Sequence, residues 1–235
     1  MGTFKHQNPN CFLGSRLEFP PVETAQGDGL LAVGGDLSPE RLLLAYQGGI
    51  FPWFNPGEPI LWWSPDPRMV LYPEKLHRSK SMRRLIRDKD YTLTRDKCFD
   101  RVVDLCAQVP RKGQVGTWIG PQIREAYSAL HRQGHAHSYE TWKHGELVGG
   151  LYGVDLGHVF CGESMFSLRP NASKFAFIGM VGELRERGYR LVDCQVHSPH
   201  LESLGAELIP RKTFLAALEG NLGGGQQEQD VLGNP

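Results

Sequence analysis

The chain lacks several features that mark large protein classes. No run approaches the ~18 uninterrupted apolar residues that a membrane helix requires, so no membrane association is expected. The start, MGTFKHQNPNCFLG, has no apolar stretch leading to a small-residue cleavage site, which argues against a secretory signal. His6 stands where a myristoylation sequence would carry Ser or Thr. The five cysteines (Cys11, Cys98, Cys106, Cys161 and Cys194) are scattered, odd in number and without a CxxC pair. They suggest neither a disulfide framework nor a zinc site, and a reduced, metal-free, cytoplasmic protein is expected. Net charge is also missing: 26 Lys and Arg balance 26 Asp and Glu, which excludes a general basic coat but leaves room for a local basic patch.

What is present is an ordinary globular composition, 40% hydrophobic and 22% charged, over 235 residues. That length suits one large domain, or a medium domain with a small one. Residues 1–70 are rich in Pro, Gly and Trp, and one helix stands out there. In LSPERLLLAYQGG, Ser38 is the expected N-cap, Pro39 fits the first helical position and Gly48-Gly49 ends the helix. In the following IFPWFNPGEPILWWSPDPRMVLYP, repeated prolines forbid long regular structure, while Trp53, Trp62 and Trp63 offer core for a small domain.

Positive charge collects between residues 75 and 112, with twelve Lys or Arg against five Asp. Lys80, Arg83, Arg84 and Arg87 recur at helical spacing, which makes either a solvated helix face or a strip for phosphates. Beyond residue 118 the pattern is regular. PQIREAYSALHRQGH predicts an amphipathic helix with Ile123, Ala126, Tyr127 and Leu130 on one face. AHSYETW, ELVGGLYGV and HVFCGE predict an antiparallel meander, with the last strand ending near Gly162-Glu163-Ser164. A helix over 172–187, a strand RLVDCQV, and then helix, strand and helix complete a mixed α/β order. The Gly/Gln-rich segment 221–235 reads as a disordered tail.

Two places stand out chemically. In LVDCQV, a strand period of two puts Asp193 and Gln195 on one face, and polar groups on a central strand need partners or a task. Cys194 between them reads as a buried small hydrophobe, and His197 with His200 is weak evidence for metal. In VFCGESMFSLRPNASKFAF, Glu163 sits among apolar residues, where a carboxylate must be exposed, bonded or facing a ligand.

The stretches GGDLSPERLLLAYQGGIFPWF, WWSPDPRMVL, GHAHSYETW, LVGGLYGV, FCGESMFS, NASK and VDCQVHSPHLESLGAELIPR, in this order, resemble the leucyl/phenylalanyl-tRNA–protein transferase family over residues 28–219. The resemblance implies an α/β (mixed α+β) fold, in which a small N-terminal domain precedes a larger GNAT-like (acetyltransferase-like) domain with a mixed, largely antiparallel sheet. With the composition shift, the domains are expected at 1–70 and 71–220. The resemblance also implies transfer of Leu, Phe or, less readily, Met from aminoacyl-tRNA to the α-amino group of proteins that begin with Arg or Lys, marking them for degradation. No cofactor and no metal are implied.

By the same resemblance, Asp193 would hold and deprotonate the attacking amine, with Gln195 orienting the amine or the ester carbonyl. Glu163 would complete an acidic acceptor site with no protein cation nearby. Leu151, Met165, Met180, Leu184 and Val192 match the family's aminoacyl pocket; relatives often carry Phe at 180 and 184 and Met at 151, so this chain departs there. Trp53 and Trp118 would pack around the terminal adenosine of the tRNA, and Lys80, Arg83, Arg84 and Arg87 would hold phosphates. Two alternatives stay open: a coenzyme A-dependent N-acetyltransferase and a non-catalytic tRNA-binding module. Against the first, SLRPNASKFAF lacks the glycine-rich loop that cradles a pyrophosphate. Against the second, binding alone does not need the Asp193/Gln195 pair.

Overall fold

The computed structural model describes residues 12–109 and 117–220. Expectations placed on the first eleven residues, Arg111, Lys112 and the 221–235 tail lie outside the described residues.

Local signals act where the sequence puts them. Helix α1 (Pro39–Gln47) begins with the Ser38 hydroxyl accepting from the Arg41 N–H, has Pro39 in its first turn and ends before Gly49 at φ 73°. Helix α4 (Pro121–Arg132) buries Ile123, Ala126, Tyr127 and Leu130, the expected apolar face. Helix α2 (Lys80–Asp88) carries the basic strip, and Lys80, Arg83, Arg84 and Arg87 all lie exposed on it. The remaining helices are α3 (Phe99–Gln108), α5 (Ala172–Glu186), α6 (Pro199–Glu202) and α7 (Arg211–Leu218). Among the described residues, no helix is long and apolar enough to cross a membrane.

The strands form two sheets. A four-stranded sheet orders β1 (Phe12–Leu13), β2 (Leu30–Gly34), β4 (Leu61–Trp63) and β3 (Phe51–Pro52). A seven-stranded sheet orders β11 (Glu207–Ile209), β5 (Arg68–Leu71), β10 (Leu191–Gln195), β9 (Val159–Ser167), β8 (Glu146–Asp155), β7 (Ala136–Lys143) and β6 (Thr92–Arg95). In the larger sheet β9 and β10 run parallel, and the other neighbouring pairs run antiparallel. This is the mixed, largely antiparallel sheet of the expected α/β fold, with the β7–β8–β9 meander in place. The span of β5 straddles residue 70, so the chain enters the large sheet directly from the Pro/Trp-rich segment.

Side chains alternate across the large sheet and build two cores. On one face Tyr152 of β8 joins Phe99 of α3 and Tyr127 of α4, and this core runs on without a break to Leu42, Tyr46 and Trp62 of the N-terminal segment. On the other face Leu151 packs with Tyr139, Phe160 and the α5 residues Met180, Val181 and Leu184. Helix α5 lies close to β8 because residue 149 is glycine: a Cβ there would sit 2.6 Å from the Cβ of Ala172.

Two strands differ from the sequence expectation. Strand β9 continues through Glu163 to Ser167 instead of ending at Gly162–Ser164. Tyr152 pairs with Ser164 and Gly153 with Gly162, which leaves Glu163 as the extra residue of a bulge. Strand β10 loses its period of two at Gln195, which takes φ 56° where the register against β5 shifts.

The tryptophans also divide. Trp62 is fully buried, with its indole N–H donating to the Gly34 carbonyl at 2.9 Å, whereas Trp53 is 43% exposed. Trp62→Ala is expected to cost about 3–5 kcal/mol in denaturant unfolding, and Trp53→Ala about 1 kcal/mol or less. Equal losses would show that Trp53 belongs to the core.

Candidate active site

The parallel pairing of β9 and β10 runs from Val159–Leu191 to Cys161–Asp193 and stops there. Beyond that point β9 stays with β8 while β10 ends at Gln195, and a cavity of about 660 Å³ opens where the two strands part. Glu163 and Gln195 stand at this opening, Leu151, Met165 and Val192 line it from the sheet, and Met180 lines it from α5. Four of the five expected pocket residues therefore face the cavity. Leu184 does not: it is fully buried in the core behind the lining. Phe177, one turn of α5 before Met180, takes a place in the wall that the sequence reading missed.

Asp193 sits at the point of parting and is fully buried. Arg68 of β5 grips it with both arms of its fork, Nε to Oδ1 at 2.8 Å and a terminal nitrogen to Oδ2 at 2.7 Å. The guanidinium lies 4.7 Å from the ring centres of both Phe51 and Phe214. The expectation of an acidic pair without a protein cation is thereby corrected. An Arg buried beside the carboxylate bonds both of its oxygens and holds Asp193 in place. Asp193 Oδ1 also accepts the backbone N–H of Gln195 at 3.0 Å, which fixes the left-handed turn there.

Glu163 is the accessible carboxylate of the two, half-buried at the bulge. Tyr46 of α1 donates to its Oε1 at 2.6 Å, Tyr127 of α4 donates to Oε2 at 2.9 Å, and the two phenol hydroxyls are themselves in hydrogen-bond contact. The Gln195 amide donates to Oε1 at 3.2 Å. Burial pushes the Glu163 carboxyl up to about 7, against the phenol hydrogen bonds that hold it down, while Asp193 adds a smaller upward push. The same burial, with Glu163 close by, holds both phenols well above the usual tyrosine value. The carboxyl at the mouth can thus be gained or lost as a proton site near neutral pH.

A second cavity of about 170 Å³ shares Glu163 and Gln195 with the first and is walled by Phe51, Trp53 and Trp118. Trp53 is its exposed wall and Trp118 is buried. On α2, Arg84 and Arg87 lie 3.3 and 3.5 Å from Asp88, so part of the strip's charge is already paired. Cys194 is buried and its thiol is pushed far above the ordinary range by burial, which suits a packing residue.

Among the described residues, metal-ligating side chains converge at Asp96, His131 and His137. There His137 Nδ1 lies 2.7 Å from Asp96 Oδ2, His131 Nδ1 lies 2.8 Å from the Ala136 carbonyl, and Arg95 lies 3.5 Å from the same carboxylate. The donors are met by protein groups, one of them a cation. Arg68, Tyr46 and Tyr127 are the site residues that sequence reasoning missed. The arginine had a faint signal, a charge heading the strand RMVL, and Tyr127 read as a helix-face residue.

A family model described as leucyl/phenylalanyl-tRNA protein transferase matches residues 70–219, and one described as its N-terminal domain matches residues 35–66. A relative from Flavobacterium johnsoniae named leucyl/phenylalanyl-tRNA–protein transferase is 56% identical over 208 residues, which cover 88% of this chain and 98% of the relative. One of the same name from Chromobacterium violaceum is 54% identical over 213 residues, 90% of this chain and 91% of the relative. Of solved structures, FemX is similar over 73% of this chain and 66% of its own, at 13% identity and TM-score 0.47. An aminoglycoside acetyltransferase, meta-AAC0020, is similar over 47% of this chain and 80% of its own, at 16% identity and TM-score 0.36.

Removing one member of the Arg68–Asp193 pair leaves an uncompensated buried charge. Arg68→Met is expected to lower unfolding free energy by about 3–5 kcal/mol, and Arg68→Met/Asp193→Leu to recover much of that loss. Denaturant titrations of the two variants check this; a double variant no better than the single one would contradict it.

Proposed function

The chain belongs to the leucyl/phenylalanyl-tRNA protein transferase family, and on that premise we propose that it moves an aminoacyl group from tRNA to the α-amino group of a protein. The donor residue is Leu, Phe or, less readily, Met, and the acceptor begins with Arg or Lys. The product is a longer N-terminus that marks the protein for degradation, formed in the cytoplasm.

The observation that carries this reading is the meeting of two unlike cavities at Glu163 and Gln195. The larger is lined by apolar side chains and deformable methionines, which suits Leu, Phe and Met better than a β-branched residue. The smaller has the aromatic walls that a terminal adenosine requires, at ~1–3 kcal/mol per stacked base. An aminoacyl ester lying across both would place its carbonyl beside Gln195. The basic strip on α2 supplies phosphate contacts further along the acceptor stem.

The chemistry is aminolysis of an ester. The acceptor nitrogen attacks the ester carbonyl carbon, the new C–N bond forms, the ester C–O bond breaks, and the ribose oxygen leaves as a hydroxyl. A free α-amine titrates near 7.7–8.0, so positioning and modest base assistance carry much of the acceleration. Glu163 is the group that binds the amine and takes its proton. Its negative charge favours an acceptor that brings an Arg or Lys side chain. Asp193 acts through Gln195, whose backbone it fixes and whose amide then faces the reacting centre.

With tRNA charged with labelled Leu, transfer is expected to a peptide beginning with Arg and not to one beginning with Val. Glu163→Gln should cut kcat about 10²-fold or more. Equal labelling of both peptides, or an unimpaired Glu163→Gln enzyme, would overturn the reading. Raising salt from 50 to 200 mM should weaken binding of the charged tRNA about tenfold or more, through the α2 strip. Filter binding with Lys80, Arg83, Arg84 and Arg87 changed to Gln should flatten that salt dependence.

A further inference from the structure

The hydroxyls of Tyr46 and Tyr127 meet each other and both oxygens of Glu163, which makes three oxygen–oxygen contacts: Tyr46 with Oε1, Tyr127 with Oε2, and Tyr46 with Tyr127. Each contact needs one proton between its oxygens. Two phenols supply two. If both donate to the carboxylate, the phenol–phenol contact is left with lone pairs facing each other. A third proton, when the carboxylate takes one up, completes the set. Protonated Glu163 closes the ring: one carboxyl oxygen donates to a phenol, that phenol to the other, and the second phenol back to the remaining carboxyl oxygen. The ring closes equally well in the opposite sense, which moves the acidic proton from Oε2 to Oε1 without any heavy atom shifting.

We propose that Tyr46 and Tyr127 make Glu163 the proton carrier of the transfer, so that one group takes the proton from the attacking amine and returns it to the departing ribose hydroxyl. The inference rests on the reading of Glu163 as the amine's base. The bookkeeping closes within the reaction: the ionised carboxylate takes the nitrogen's proton on one oxygen as the C–N bond forms, and the ring, now holding three protons, passes one across to the other oxygen. The C–O bond then breaks as a proton leaves for the ribose oxygen, returning Glu163 to its starting state. Both steps take place where the two cavities share Glu163, so amine and ester oxygen reach the same group.

The surroundings agree. The elements packed around Glu163 bring Tyr46 from α1, Tyr127 from α4 with Tyr152 of β8 edge-on to it at 5.5 Å, Gln195 and Asp193 from β10, and Arg68 from β5. The single full cation among them is held in both arms by Asp193, and its downward pull on the Glu163 carboxyl is smaller than the upward push of that aspartate. Burial has already raised the carboxyl to about 7, close to the amine it would serve.

The test is a pair of single variants, Tyr46→Phe and Tyr127→Phe, each of which removes one hydroxyl and keeps the ring that packs the core. Single-turnover transfer to the Arg peptide is followed against pH, and the Glu163 carboxyl is titrated directly by difference infrared spectroscopy against Glu163→Gln. A phenol hydrogen bond favours the charged carboxylate, so its loss should move the carboxyl titration, and with it the acid limb of the rate profile, to higher pH by about one unit. The plateau rate should fall about tenfold or more in each variant. If the two hydroxyls serve only packing, the rate profile keeps its midpoint in both variants, and that result overturns the inference. If the carboxyl titration shifts while wild-type enzyme transfers nothing to the Arg peptide, the parent functional reading has failed and the carrier role falls with it, the proton ring itself remaining. Thermal unfolding of each variant identifies a fold defect; should one variant misfold, the other alone decides.

Discussion

The site hangs on a buried ion pair. Arg68 and Asp193 are both shielded from water, and each would be costly to bury without the other. Their contact ties β5 to β10 at the place where β10 leaves its parallel neighbour. The rings that flank the guanidinium come from β3 and from α7, so one arginine links the N-terminal sheet, the central sheet and the last described helix. Asp193 in turn holds the backbone of Gln195 in a left-handed turn, and Gln195 reaches Glu163. The aspartate that the sequence offers for catalysis is, in the fold, the partner of a buried arginine, and it sets the geometry of Gln195.

Division of labour between the two carboxylates follows from burial and partners. Asp193, with its cation, is fixed in place. Glu163 has no such cation. It has two phenols, an amide and a low-dielectric setting, and these leave its proton loosely decided near neutral pH. The bulge in β9 puts it there: one extra residue between Gly162 and Ser164 turns the side chain toward α1 and α4. Tyr46 and Tyr127 reach it because the core beneath the large sheet continues into the N-terminal segment, so the proton site exists only when both parts of the chain are assembled.

The cavity has a related origin. Parallel strands that stop pairing partway leave a gap between them, and α5 forms the wall opposite. The apolar lining, with Met165 and Met180, can adapt to more than one side-chain shape, while the aromatic space beside it is smaller. Both spaces end at the same carboxyl and amide.

By itself the sequence determined the family, helix α1 and the order of elements from α4 onward. Local signals are strong where helices are capped by Ser38 or stopped by Gly49, and where three alternating runs separated by short turns must fold into a meander. The long motifs carried the resemblance, and with it the residues around Asp193, Gln195, Glu163 and most of the apolar pocket. Tertiary structure alone decided how those residues work together. Arg68 lies 125 residues from Asp193, Tyr46 lies 117 and Tyr127 36 from Glu163, and nothing in local spacing couples such pairs. Leu184 and Phe177 lie on the same helix, yet only packing against the sheet sets which of them faces the cavity. Periodicity places a side chain on a face of its own element, whereas its protonation and its role follow from what the fold brings against that face.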